Sequence, residues 1–204
     1  HEPTPDLARL AMVSAVLMAA TRMALPLTRH PWKAVALWGA ATLGLVLSGA
    51  PWIALALGTG LLLLVWTSRS AQGAAAPQEL SWVMGLLALA ALLASITEQI
   101  HWPQALSLPA SMADWKRWGK LLVWFTWPAW PLALWTLWRW RHQLRSPHVA
   151  LPLWTALVSV VNSAINPDFD RSLLLALPAM AVLAAFALPT LRRSVSALID
   201  WFTL

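Results

Sequence analysis

Between Lys120 and Arg139 the chain runs for eighteen residues without a charge, and this run constrains the fold more than any other feature. As a helix it reaches about 27 Å, close to the depth of a bilayer's hydrocarbon. It lies inside Trp115–Arg145, WKRWGKLLVWFTWPAWPLALWTLWRWRHQLR, which holds eight of the sixteen Trp residues. Lys116, Arg117 and Lys120 stand at one end, and Arg139, Arg141 and Arg145 at the other. Trp at span ends prefers the half-wet headgroup zone. Trp124, Trp127 and Trp130 fall mid-run, where indole N–H groups need acceptors, so several are expected to face other helices. Pro128 and Pro131 each remove a backbone donor and crowd the preceding turn. The sequence therefore predicts one crossing, kinked near Ala129, with neighbouring helices satisfying the freed carbonyls. A packed, kinked span is the simpler reading; the wall of an aromatic groove for a lipid or sugar is the sharper one.

Only 11% of the 204 residues are charged and 59% are hydrophobic, against about 25% charged in a soluble domain. With long uncharged runs, this describes a polytopic membrane protein. The net charge of +6 does not argue for nucleic acid, because the basic residues cluster at span ends. No Cys is present, which excludes disulfides and thiol chemistry.

Hydropathy and turn residues place span one at Leu7–Leu27, span two at Ala34–Leu47 and span three at Ile53–Thr67. Asp6 is placed to cap span one. Ser48-Gly49-Ala50-Pro51 reads as an uncharged hairpin between spans two and three. Ser68–Leu80 reads as a loop, Ser81–Thr97 as span four, and Glu98–Gly119 as a loop lying on the interface. The Trp-Pro element is span five. A basic connection, Arg139–His148, leads to span six at Val149–Ile165. A polar turn through Asp168 and Asp170 leads to span seven at Arg171–Pro189. The fold class is an all-α transmembrane bundle of seven crossings plus a partial eighth helix, forming one domain over residues 1–204.

With the N-terminus outside, the inner loops carry Arg29, Lys33, Arg69, Arg139, Arg141, Arg145, Arg192 and Arg193. Arg9, Lys116, Arg117, Lys120 and Arg171 fall outside. Eight against five follows the positive-inside bias. Glu2, Asp6, Glu98, Asp114, Asp168 and Asp170 also fall outside, so chemistry is expected on that face.

Few residues there suggest a reaction. His1 and Glu2 form a candidate ligand or acid/base pair, although neighbours on a helix point apart; a solvated terminus is the plainer reading. Arg171 either pairs with Asp168 or Asp170, or binds an anionic lipid phosphate near the membrane surface. His101 beside Glu98 has no second His at ligand spacing, so no metal site is expected. Arg22 sits near a span end and is expected to snorkel. There is no phosphate loop, HExxH or GxSxG pattern.

Asp170–Pro189, DRSLLLALPAMAVLAAFALP, resembles the late helix of bacterial integral-membrane glycosyltransferases of the GT-C superfamily, the relatives of dolichyl-phosphate-mannose protein mannosyltransferases and aminoarabinose transferases. Arg171 matches that family's Arg, and Ser172 stands where Tyr is common. WFTWPAWPLALWTLWRWR and LPTLRRSVSALIDWFTL are similar to its membrane half. The resemblance implies transfer of sugar from a polyprenyl-phosphate donor on the periplasmic face of the bacterial inner membrane. It implies that Arg171, with His1 and Glu2, lines the outer cavity and meets donor phosphate or acceptor. The family's catalytic acid lies in an earlier outer loop with no counterpart here, so the resemblance makes this chain the later membrane portion of a longer one. Membrane lipids and the lipid-linked donor are the expected partners, with no cofactor. The other reading is a small multipass transporter or a non-catalytic membrane subunit.

Overall fold

The computed structural model describes residues 4–24, 31–71, 78–101, 111–166 and 172–188, and every regular element among them is helical. The α-helices are α1 (Thr4–Ala24), α2 (Pro31–Leu47), α3 (Pro51–Ala71), α4 (Gln78–His101), α5 (Met112–Phe125), α6 (Ala129–Arg139), α7 (Pro147–Ile165) and α8 (Leu177–Ala187). Short 3₁₀ turns at Arg141–Gln143 and Leu173–Ala176 lead into α7 and α8. Three segments are long and apolar enough to cross a bilayer: Asp6–Ala24, Pro51–Ser68 and Pro147–Ile165. The apolar parts of α2, α4 and the α8 region are shorter: Trp32–Leu47, Ser81–Leu93 and Leu173–Ala187.

α1 packs along α2 and α3, α2 and α3 along α4, and α3 along α7. Small residues allow the close approaches. A Cβ on Gly44 would meet Met12 of α1 at 2.9 Å, and Gly58 of α3 sits under Leu87 of α4. Gly60 of α3 lies directly beneath the Trp154 indole of α7, which donates to the Ala56 carbonyl at 3.1 Å. Trp38, Leu45, Leu57, Leu61 and Leu151 are fully buried between these helices.

The hairpin at 48–51 forms as the sequence predicts. Gly49 takes φ 96°, which a Cβ would oppose. Gly49 N–H donates to Val46 O and Ala50 N–H to Leu45 O, closing α2 with a Schellman turn.

Several expectations are corrected. Residues 120–139 do not form one continuous kinked helix: α5 ends at Phe125, residues 126–128 form a turn with a cis Trp127–Pro128 bond, and α6 starts at Ala129. Two prolines within four positions remove enough donors to end the helix rather than bend it. Glu98–Gly119 is not a loop throughout, because 98–101 complete α4 and 112–119 belong to α5. Ser111 and Asp114 make a capping box that starts α5: Asp114 N–H donates to Ser111 Oγ at 3.2 Å, and Ser111 N–H to Asp114 Oδ2 at 3.1 Å. Asp6 lies inside the first turn of α1 instead of capping it. Trp124 is 84% exposed and Trp127 is 48% exposed, so neither is buried against another helix.

The ends of the bundle are chemically distinct. Asp6, Arg9, Ala50, Asn162, Asn166 and Ser172 gather at one. Trp140, His148 and Phe186 stack at the other, with ring centroids 5.6 and 5.8 Å apart. α7 spans the distance between them.

Candidate site: a polar end and an apolar groove

Arg9 organises the polar end. Its Nε donates to the Ser48 carbonyl at 3.2 Å, and Nη2 donates to the same oxygen. Nη1 lies 3.9 Å from Asp6 Oδ1. The Schellman turn of α2 leaves the Ser48 carbonyl at a helix C-terminus, where a cation is favoured. Beside it, Asn166 Nδ2 donates to Asn162 Oδ1 at 3.2 Å, with Asn162 only 1% exposed. Thr155, Ser159 and Asn162 continue this polar face down α7, all buried. Thr155 donates to Leu151 O at 3.0 Å, while Ser159 Oγ has no partner among the described residues. Asp6, Arg9, Asn162, Asn166 and Ser172 enclose a cavity of about 20 Å³, room for about one water.

His1, Glu2 and Arg171 lie outside the described residues, as do Asp168 and Asp170. Ser172, which follows Arg171 in the chain, lines the cavity with Asp6. Glu98 and His101 fall on the last turn of α4. The sequence signal for the role of Arg9 is Asp6-x-x-Arg9 in the first turns of an otherwise apolar helix.

The broken Trp-Pro element creates the second feature. α5 is amphipathic and buries none of its residues. It is held to α7 by Trp118 Nε1, which donates to Ser163 Oγ at 3.1 Å. α6 packs on α8, where buried Thr136 donates its hydroxyl to Leu183 O at 2.7 Å. A groove of about 370 Å³ opens between these attachments. Leu122 and Val123 of α5, Trp130, Leu134 and Leu137 of α6, Leu153, Leu157 and Val160 of α7, and Met180 and Leu183 of α8 line it. The only side-chain polar atom among these residues is Trp130 Nε1, which donates to Val123 O at 3.1 Å. The groove is therefore chiefly aliphatic, not the aromatic wall the Trp count suggests. Lys116 and Lys120 are exposed on α5 just before Leu122, and neither forms an ion pair among the described residues.

Such a groove can take a hydrocarbon chain and offers nothing to a polar solute. No known protein family, curated protein or solved structure matches this chain.

Proposed function

We propose that this chain is the membrane part of a glycosyltransferase that takes sugar from a polyprenyl-phosphate donor at the periplasmic face of a bacterial plasma membrane. The observation that carries the reading is the apolar groove. A branched isoprenoid chain needs aliphatic walls of this kind, and the cations on α5 stand beside the walls where a lipid phosphate would sit. In this reading α5 and α6 together make one crossing, which with α1, α2, α3, α4, α7 and the α8 region gives seven. Helices shorter than the hydrocarbon are accommodated by local thinning and by Trp and Lys or Arg at their ends. Arg171, His1 and Glu2 are the residues assigned to donor phosphate or acceptor, because a guanidinium suits a phosphate leaving group.

The test uses the full-length protein with a photoactivatable polyprenyl phosphate. Crosslinks are expected at Val123, Leu134 or Val160, and Val160→Trp, which fills the groove, is expected to abolish them. Arg171→Ala is expected to lower sugar transfer while leaving the crosslinks intact. Crosslinking that ignores Val160→Trp removes the groove from the proposal, and unchanged turnover in Arg171→Ala removes that residue. Crosslinking without any transfer points instead to the non-catalytic subunit. The transporter reading is weaker, since the groove presents no polar lining to a solute.

A further inference from the structure

The end of the bundle opposite Arg9 carries a second concave surface. Residues 139–148 turn from α6 into α7 and hold three Arg and two His without an acid. Arg139, Trp140, His142 and Gln143 line a cavity of about 310 Å³, at the small end of the range for ligand sites. Arg139, Arg141 and Arg145 are exposed and form no ion pair among the described residues. Arg141 is held in place: its Nε donates to His142 Nε2 at 3.2 Å, and its guanidinium lies 5.9 Å from the Trp138 ring centroid. Those two contacts orient the fork while leaving its Nη groups to meet an anion. Trp135 and Trp138, 39% and 58% exposed, pack at 5.3 Å on the neighbouring turn. Exposed paired indoles mark headgroup depth.

We infer that this turn is a binding site for the phosphodiester headgroup of an anionic phospholipid in the leaflet opposite the Arg9 end. Arg139 lines the cavity, exposed Arg141 and Arg145 follow on the same turn, and exposed indole rings stand beside it; a zwitterionic lipid would bring its own cation against three guanidiniums. The inference needs the chain to lie in a membrane but does not need it to transfer sugar.

The experiment reconstitutes the full-length protein in phosphatidylcholine with and without phosphatidylglycerol, then measures the lipid retained after extraction by native mass spectrometry. Phosphatidylglycerol is expected to be retained selectively. The triple variant Arg139→Gln, Arg141→Gln, Arg145→Gln is expected to lose about fivefold per cation, roughly a hundredfold in all. The companion variant Arg22→Gln, Lys33→Gln, which removes two exposed cations outside this turn, is expected to keep it. Should the first triple variant fail to fold, the unmodified protein still decides: retention must fall steeply as salt is raised. Equal retention of both lipids, or retention indifferent to the three Arg changes or to salt, overturns the site. Displacement of phosphatidylglycerol by inorganic phosphate overturns the lipid assignment in favour of a free anion.

Discussion

Trp130 donates its indole N–H to the carbonyl of Val123, 3.1 Å away and seven residues earlier. This bond gives a partner to a carbonyl left open where α5 stops. Val123 O lies in the last turn of α5, where carbonyls lose their intrahelical partners. The bond comes from the same element across the break, not from a neighbouring helix as the sequence suggests. Trp130→Phe keeps the ring and removes the donor, leaving the carbonyl unsatisfied. The bond is exposed, so the change is expected to cost about 0.5–1.5 kcal/mol, read as a lower thermal midpoint in detergent, with Trp124→Phe as the near-neutral comparison. A midpoint equal to the parent's would mean that the bond does not hold the break.

Gly60 and Gly85 should respond in opposite ways to Ala. A Cβ on Gly60 would land inside the Trp154 indole, pushing α7 from α3 and breaking the bond to Ala56. Overpacking of this kind costs about 1–3 kcal/mol. At Gly85 of α4 nothing lies within 4 Å, so Ala there is expected to gain up to about 1 kcal/mol of helix propensity. Thermal unfolding of both single variants checks the pair; equal shifts would contradict the α3–α7 packing.

Arg9 ties the start of α1 to the end of α2 through Ser48. Arg9→Gln removes the cation that the helix end favours and the ion pair to Asp6. Hydrogen bonds from a charged donor contribute about 1.5–3 kcal/mol, and the loss is expected near the low end because Arg9 is partly exposed. Arg9→Lys should recover part of it, since a point charge satisfies the carbonyl but not both contacts. A Lys variant no better than Gln would show that charge is not what Ser48 requires.

The absence of Cys makes sidedness directly measurable. Ser111→Cys and Arg145→Cys place single thiols at exposed positions, one at the start of α5 and one just before α7. In intact membrane vesicles an impermeant maleimide is expected to label only one of them. Labelling of both from the same side would remove the proposed crossing by α5 and α6 and with it the seven-crossing arrangement.

Much of the bundle is legible in the residues. Spans one, two, three, four and six differ from the observed helices by only a few residues at each end. The 48–51 hairpin could be read because Gly and Pro act locally on φ and on donor supply. The break in the Trp-Pro element is not legible, because charge-free length says that a segment can be buried, not that its backbone is continuous. The start of α5 was written in Ser111-x-x-Asp114, a capping pattern hidden inside a stretch that otherwise reads as loop.

What the sequence determined alone was a chain of apolar helices compatible with a membrane: few charges, and apolar runs broken by Gly, Pro and clustered Arg. What the tertiary structure decided was which polar groups meet. Arg9 reaches Ser48 across 39 positions, Trp118 reaches Ser163 across 45, and the groove walls come from four separate helices. Local propensity depends on residues within a turn of one another. Those meetings depend on how helices pack, and packing is fixed by where small residues let backbones approach.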